Sequence, residues 1–188
     1  EYRRQRQMCI RDSTWTVRFQ HGGVAEYVTV DRYLPASAGS RVYASWGGGN
    51  VTSSSNELWV ALAEKAYAQL AELGWSRGAG AGNTYEAISG GWMDDVISQV
   101  AGLSTAASSA TEMTQSRLIA LVNTNQIVTV GFVYGGGYGV VNSHAYSIAS
   151  YNASTGRFHL RNPWGTSHAD VTFAQLQSLQ GRVIVSTT

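Results

Sequence analysis

Apolar residues alternate with polar ones at Trp15, Val17 and Phe19, and a second apolar-rich run at residues 27–30 follows the turn His21-Gly22-Gly23. Successive strand side chains point to opposite faces, so period-two alternation around a glycine turn predicts a β-hairpin. Leu34-Pro35 and Gly39 mark another turn, and residues 41–46 read as a third strand. After a glycine- and serine-rich loop at 47–55 the period lengthens. Trp59, Leu62, Ala66, Leu70 and Leu73 recur at helical spacing, with Ser54 and Glu57 at capping-box separation ahead of them and Gly74 as a stop behind. The expected role of this helix is core packing.

Gly78, Gly80 and Gly82 follow in a segment without the lysine and apolar helix of a phosphate loop, so it reads as a connection. Residues 85–91 are rich in turn formers, residues 92–100 predict a short helix, and residues 112–122 a longer one. The small residues at 103–110 between them read as a linker and as the domain boundary. Beyond Asn125 the pattern turns to strands at 127–134, 141–151, 157–162 and 182–186, with a short helix at 173–178. The expected domains are a foreign tail at 1–13, a first subdomain at 14–102 and a β-rich second one at 103–188.

The tail at 1–13 carries Arg3, Arg4, Arg6 and Arg11 in an unpatterned, glutamine-rich stretch that resembles the translation of a sequencing adapter. The net charge of the 188 residues is +1, and without this stretch 9 basic and 10 acidic residues remain. The body of the chain has no basic patch, so nothing asks for a nucleic-acid partner. No apolar run approaches the ~18–20 residues of a membrane-spanning helix, so no membrane partner is expected. The one cysteine, Cys9, allows neither an intrachain disulfide nor a thiolate-paired metal site.

The strands at 141–151 and 157–162 carry the candidate chemistry. If residues 152–156 form the loop, Tyr151 pairs with Arg157, Ile148 with Leu160, Tyr146 with Asn162 and His144 with Trp164. Ile148, Phe158 and Leu160 then share an apolar face while Arg157, His159 and Arg161 share a polar one, which supports the register. A loop shorter by one residue would pair unlike faces. In this register His144 and Asn162 are diagonal neighbours, with Trp164 beside them. An asparagine oxygen next to a buried imidazole fixes the tautomer and leaves the second ring nitrogen free as a base, which is two-thirds of a Cys-His-Asn site.

His144–Ile148 (HAYSI) and Arg161–Gly165 (RNPWG) resemble the two signature segments of the calpain protease core. YVTVDRYLP at 27–35, NELWVALAEKAYAQL at 56–70 and YEAISGG at 85–91 resemble its strand, helix and following loop, in the same order. The resemblance implies a papain-like α+β core. The chain would hold the end of the helical, cysteine-bearing subdomain and the antiparallel His/Asn subdomain. It implies His144 as general base and acid, Asn162 as the residue orienting the imidazole, and Trp164 as a shield over their hydrogen bond. The substrate would be a protein or peptide, and the nucleophilic cysteine would come from a missing N-terminal segment of the same protein. The fragment alone would then be inactive. A cytoplasmic protein is what the resemblance points to.

Animal calpains bind calcium in this core, and Glu86 matches a position that can contribute a ligand there, so the resemblance leaves Glu86 either as a calcium ligand or as an ordinary solvated or hydrogen-bonded carboxylate. The acidic, tryptophan-rich calcium segment after RNPWG is replaced by TSHADVTFAQL, and Asp170 alone cannot supply a second site. The short interval from His144 to Asn162 resembles bacterial calpain-like proteins. Cys9, between Met8 and Ile10, does not match the family's nucleophile. His21, His159 and His168 have no metal-ligand spacing and read as surface or turn residues. A calpain-like binding module without a nucleophile is the competing function. A transglutaminase-like acyltransferase is disfavoured because its third residue is typically an aspartate where this chain has Asn162.

Overall fold

Two strands, β1 (Thr14–His21) and β2 (Val24–Asp31), pair antiparallel from Thr14↔Asp31 to His21↔Val24. The two-residue loop between them puts Gly22 at φ 56° and Gly23 at φ 81°. Positive φ at both central positions belongs to the type I′ turn, whose twist suits a hairpin and which glycine enters without a Cβ clash. The computed structural model of the chain describes residues 14–37, 40–41, 58–75, 82–133 and 136–187. They fall into two units that divide between Gly91 and Trp92. The sequence boundary at 102–103 lies inside the second unit.

In the first unit, helix α1 (Trp59–Leu70) lays Leu62, Ala66 and Leu70 on Phe19, Val28 and Val30 of the hairpin. Each large side chain so buried contributes ~1.5–3 kcal/mol relative to exposure. The Lys65 ammonium donates to the carboxylate and carbonyl of Asp31 and to the carbonyl of Tyr33, tying the helix to the end of β2. The expected apolar stripe is buried only along its middle. Trp59 at the start of the helix and Leu73 beyond its end are 68% and 60% exposed, whereas Leu62, Ala66 and Leu70 between them are buried. One 3-10 turn, Ala71–Leu73, carries the chain to Gly74 at φ 73°, the stop expected from the sequence. Two-residue strands β3 (Ala36–Ser37) and β4 (Ser40–Arg41) pair with each other. The rest of the expected third strand, the loop at 47–55 with Ser54 and Glu57, the segment 1–13, Gly78 and Gly80 lie outside the described residues.

The second unit opens with helix α2 (Met93–Val96), which widens into a π turn at Ile97–Ala101 and stops at Gly102, φ 69°. Strands β5 (Ser104–Ser109), β6 (Val128–Phe132), β7 (His144–Asn152), β8 (Arg157–Arg161), β9 (Ala169–Thr172) and β10 (Arg182–Thr187) form an antiparallel sheet in the order β5-β10-β6-β7-β8-β9. Helices α3 (Gln115–Val122) and α4 (Phe173–Ser178) add Leu118 and Leu176 to its core, among Val130, Phe132, Tyr146, Ile148, Phe158, Leu160 and Val171. Both helices start on threonine caps. Thr114 accepts from the Arg117 N–H, and Thr172 and Gln175 complete a reciprocal capping box. Among the described residues no helix is long and apolar enough to cross a membrane.

Three sequence expectations change here. Residues 104–109 are a sheet strand and not a linker. Their small side chains carry almost no hydrophobic period, and the pairing is specified by β10, where Val183, Ile184 and Val185 are all buried. Strand β9 was not anticipated, although Ala169 and Val171 are buried and Asp170 between them is exposed. The hairpin loop is one residue shorter than expected, with Asn152↔Arg157, Tyr151↔Phe158 and Ser150↔His159 as the pairs near the turn. A bulge between Ile148 and Ser150 then restores the expected pairing Ile148↔Leu160. The extra residue, Ala149, absorbs the one-residue slip, so Tyr146 and Ile148 are buried on the even register and Tyr151 half-buried on the odd one.

Candidate active site

His144 is the first residue of β7 and pairs with Phe132 of β6. Its ring meets the Tyr146 ring edge-on, with centroids 5.1 Å apart. The Tyr146 hydroxyl accepts from the Val141 N–H at 2.9 Å, which ties down the chain entering the strand. Ser143, immediately before, sits at φ 49° and donates its hydroxyl to the Val133 carbonyl. A left-handed serine costs of order 1 kcal/mol or more, so the surrounding contacts must hold it.

Asn162 follows the last residue of β8 and is completely buried. Every polar group on it is used. Its Oδ1 lies 2.9 Å from His144 Nε2 and accepts from the Trp164 N–H at 2.9 Å. Its Nδ2 donates to the Ser167 carbonyl at 3.3 Å. Its main-chain N–H donates to His168 Nδ1 at 3.0 Å, and its carbonyl accepts from the Gly165 N–H.

These partners settle the protons. A main-chain N–H can only donate and a main-chain carbonyl can only accept, so Trp164 and Ser167 orient the Asn162 amide unambiguously. The oxygen facing His144 is then an acceptor, and His144 Nε2 must carry the proton. In the neutral ring Nδ1 is left as the lone-pair nitrogen, and among the described residues it has no hydrogen-bond partner. The arrangement is an oriented imidazole with a free basic nitrogen.

Trp164 lies beyond β8 and not in its ladder. Its ring sits 4.4 Å from the His144 ring at a 43° tilt and is 60% exposed, so it covers one face of the imidazole while facing solvent on its own. The three residues the sequence singled out, His144, Asn162 and Trp164, are thus brought together. Glu86 is not among them. It is an exposed carboxylate in the first turn of the 3-10 helix Tyr85–Ile88 of the first unit. Calcium takes six to eight oxygens, and among the described residues no three histidine, cysteine, aspartate or glutamate side chains gather. Glu86 by itself does not make such a site.

His168 is an exposed loop residue, as its lack of ligand spacing predicts, and its ring also accepts from the Asn162 N–H. The signal was faint. Asp170 pairs with His159 across β8 and β9, their side chains 3.0 Å apart, and the His159 and His168 rings meet at 5.7 Å. Recognising β9 would have placed His168 just ahead of that strand and beside Asn162. His21 stacks on Trp75 at 4.6 Å in the first unit.

The family model described as calpain family cysteine protease matches residues 4–177. The chain belongs to the calpain family of cysteine proteases. The match begins inside the segment set apart as foreign, so the comparison does not separate residues 4–13 from the rest. This calpain-family chain is 29% identical over 174 residues to "Calpain-type cysteine protease DEK1" of Zea mays, covering 81% of this chain and 7% of that protein. It is 29% identical over 170 residues to "Calpain clp-1" of Caenorhabditis elegans, covering 78% of this chain and 19% of that protein. It therefore spans a small part of the length of these calpain relatives. The helices and the six-stranded antiparallel sheet agree with the α+β fold expected of a calpain protease core.

Proposed function

We propose that this chain is part of a calpain-like endopeptidase that hydrolyses peptide bonds by Cys-His-Asn catalysis. The observation that carries the reading is the His144 Nε2···Asn162 Oδ1 contact, with the amide orientation fixed from both sides. His144 Nδ1 would take the proton of a cysteine thiol as that sulfur attacks the substrate carbonyl. The resulting imidazolium would return the proton to the leaving amine. His144 would then act as base again when water hydrolyses the acyl-thioenzyme. Asn162 would hold the ring in the productive tautomer, and the Trp164 ring would restrict water on one face of the pair.

The sole cysteine of the 188 residues, Cys9, does not match the family's nucleophile, so the thiol would come from elsewhere in the parent protein. The same observation favours a second reading, a calpain-like binding module with no nucleophile. The test is to express this chain together with the upstream segment of its gene. Hydrolysis of a peptide substrate should appear, His144→Ala should abolish it, and Asn162→Ala should reduce it less, because it removes orientation and not the base. The bare chain should show no peptidase activity. Failure of the completed, folded protein to react with a thiol-directed peptide probe would support the binding module.

A further inference from the structure

Asn162 is fixed by more than its contact with His144. Two consecutive residues of the following loop grip it, the Ser167 carbonyl on its side chain and the His168 ring on its main chain. Ser167 holds this position at φ 56°, a conformation that serine adopts only under constraint. The bond to His168 needs a lone pair on Nδ1, because the Asn162 N–H can only donate. His168 is then neutral with its proton on Nε2. The His159 ring stands 5.7 Å from the His168 ring, and His159 itself pairs with Asp170 across β8 and β9.

We propose that His168 is a positioning residue for the His144–Asn162 pair, acting as the acceptor that seats the Asn162 main chain. Strand β8 ends at Arg161, so the Asn162 N–H has no ladder partner. A buried main-chain N–H must find an acceptor, and here a side chain supplies it. Tilting Asn162 would move Oδ1 away from His144 Nε2 and release the ring tautomer. The catalytic meaning of this role rests on the endopeptidase reading, whereas the geometric role stands without it.

The experiment uses the ¹⁵N-labelled chain and reads two signals, hydrogen exchange at the Asn162 amide and the ring-nitrogen spectrum of His144. An asparagine carbonyl oxygen occupies nearly the position of histidine Nδ1, and a glutamine oxygen that of Nε2. His168→Asn should therefore keep both signals within twofold of wild type. His168→Gln and His168→Ala should speed Asn162 exchange by roughly five- to tenfold, the loss of one hydrogen bond, and should mix the two His144 tautomers. Exchange at Val130 and Leu160, deep in the sheet, should stay unchanged in all three. Should His168→Ala fail to fold, the Asn-against-Gln comparison decides. The proposal is overturned if Asn behaves like Gln, if all variants behave like wild type, or if Val130 and Leu160 lose protection together with Asn162. A completed protein without peptidase activity but with the expected exchange pattern would instead reject the endopeptidase reading alone.

Discussion

Replacing Asn162 by alanine should destabilise the second unit in a way the hydrogen-bond inventory makes calculable. The side chain is fully buried and makes three hydrogen bonds, to His144, the Trp164 N–H and the Ser167 carbonyl. At about 1 kcal/mol net for each, the loss is ~3 kcal/mol. Water reaching the exposed Trp164 would recover part of it. His144 is half-buried, so water also reaches its Nε2–H, and ~3 kcal/mol stands as the upper figure. For a unit of this size, 1 kcal/mol moves the melting temperature by roughly 4–8 °C, so a fall of no more than about 10–25 °C is expected. A single whole-chain melt would mix the two units. Exchange at Val130 and Leu160 under native conditions isolates the unit that carries the change. The exposed change Ser147→Ala on the same strand serves as the control and should stay within about 0.5 kcal/mol. An Asn162→Ala effect below ~0.5 kcal/mol would show that the asparagine bonds contribute nothing net, and the reasoning from the inventory would fail.

The remaining predictions concern packing, register and pH. A Cβ at Gly181 would meet Val130 Cγ2 at 2.9 Å and Phe132 Cε1 at 3.2 Å inside the core, so Gly181→Ala should cost ~1–3 kcal/mol. At Gly131 the nearest atom is the end of the Met93 side chain, also at 2.9 Å, and Gly131→Ala should cost less because that chain can swing aside; paired chemical denaturation orders the two. Deleting Ala149 should remove the bulge and keep every β7–β8 pair, leaving the His144 ring-nitrogen spectrum unchanged, whereas deleting Ala145 should turn His144 to the other face and abolish its contact with Asn162. Burial, then the neighbouring Asp94, pushes the Asp95 carboxyl above its ordinary range. Its folded pKa then exceeds its unfolded one, so its contribution is present below the unfolded value and lost as pH rises through the folded one. Asp95→Asn should accordingly stabilise the protein at neutral pH and have no effect in acid, read from urea midpoints at both. Asp31 has the opposite sign. The Lys65 hydrogen bond, then the Tyr33 N–H, lowers its carboxyl, so its contribution is present above the unfolded pKa and fades as pH falls through the lowered one. Asp31→Asn should remove that acid dependence.

Where side chains carry a period, the sequence was readable. The β1–β2 hairpin, the middle of α1, the extent of α4 and the core of β6 follow directly from alternation or helical spacing. Parity along β7 and β8 likewise places His144 beside Asn162, although the turn between the strands differs from the expectation. The loop is shorter than expected, and the bulge at Ala149 cancels the error before it reaches His144. A single inserted alanine has no composition signal. Strand β5 was missed because serine, threonine and alanine carry no contrast between faces, and its identity comes from a partner far along the chain. The grip of Ser167 and His168 on Asn162 was missed because it depends on one left-handed residue and on a ring nitrogen accepting from the main chain, neither of which has a spacing rule.

The sheet order has a consequence for how this unit is made. Strand β10 lies between β5 and β6, although Arg182 comes 50 positions after Phe132, the end of β6. While the chain emerges from the ribosome, β5 has no neighbour to pair with, and one edge of β6 stays open until Arg182–Thr187 appear. The β6–β7–β8–β9 half can assemble as it is synthesised, carrying His144 and Asn162 with it, and β10 then closes the sheet from within. Release of a nascent chain stalled before Arg182 would expose two unpaired strand edges at once, which is the form of this unit most prone to stick to its own copies.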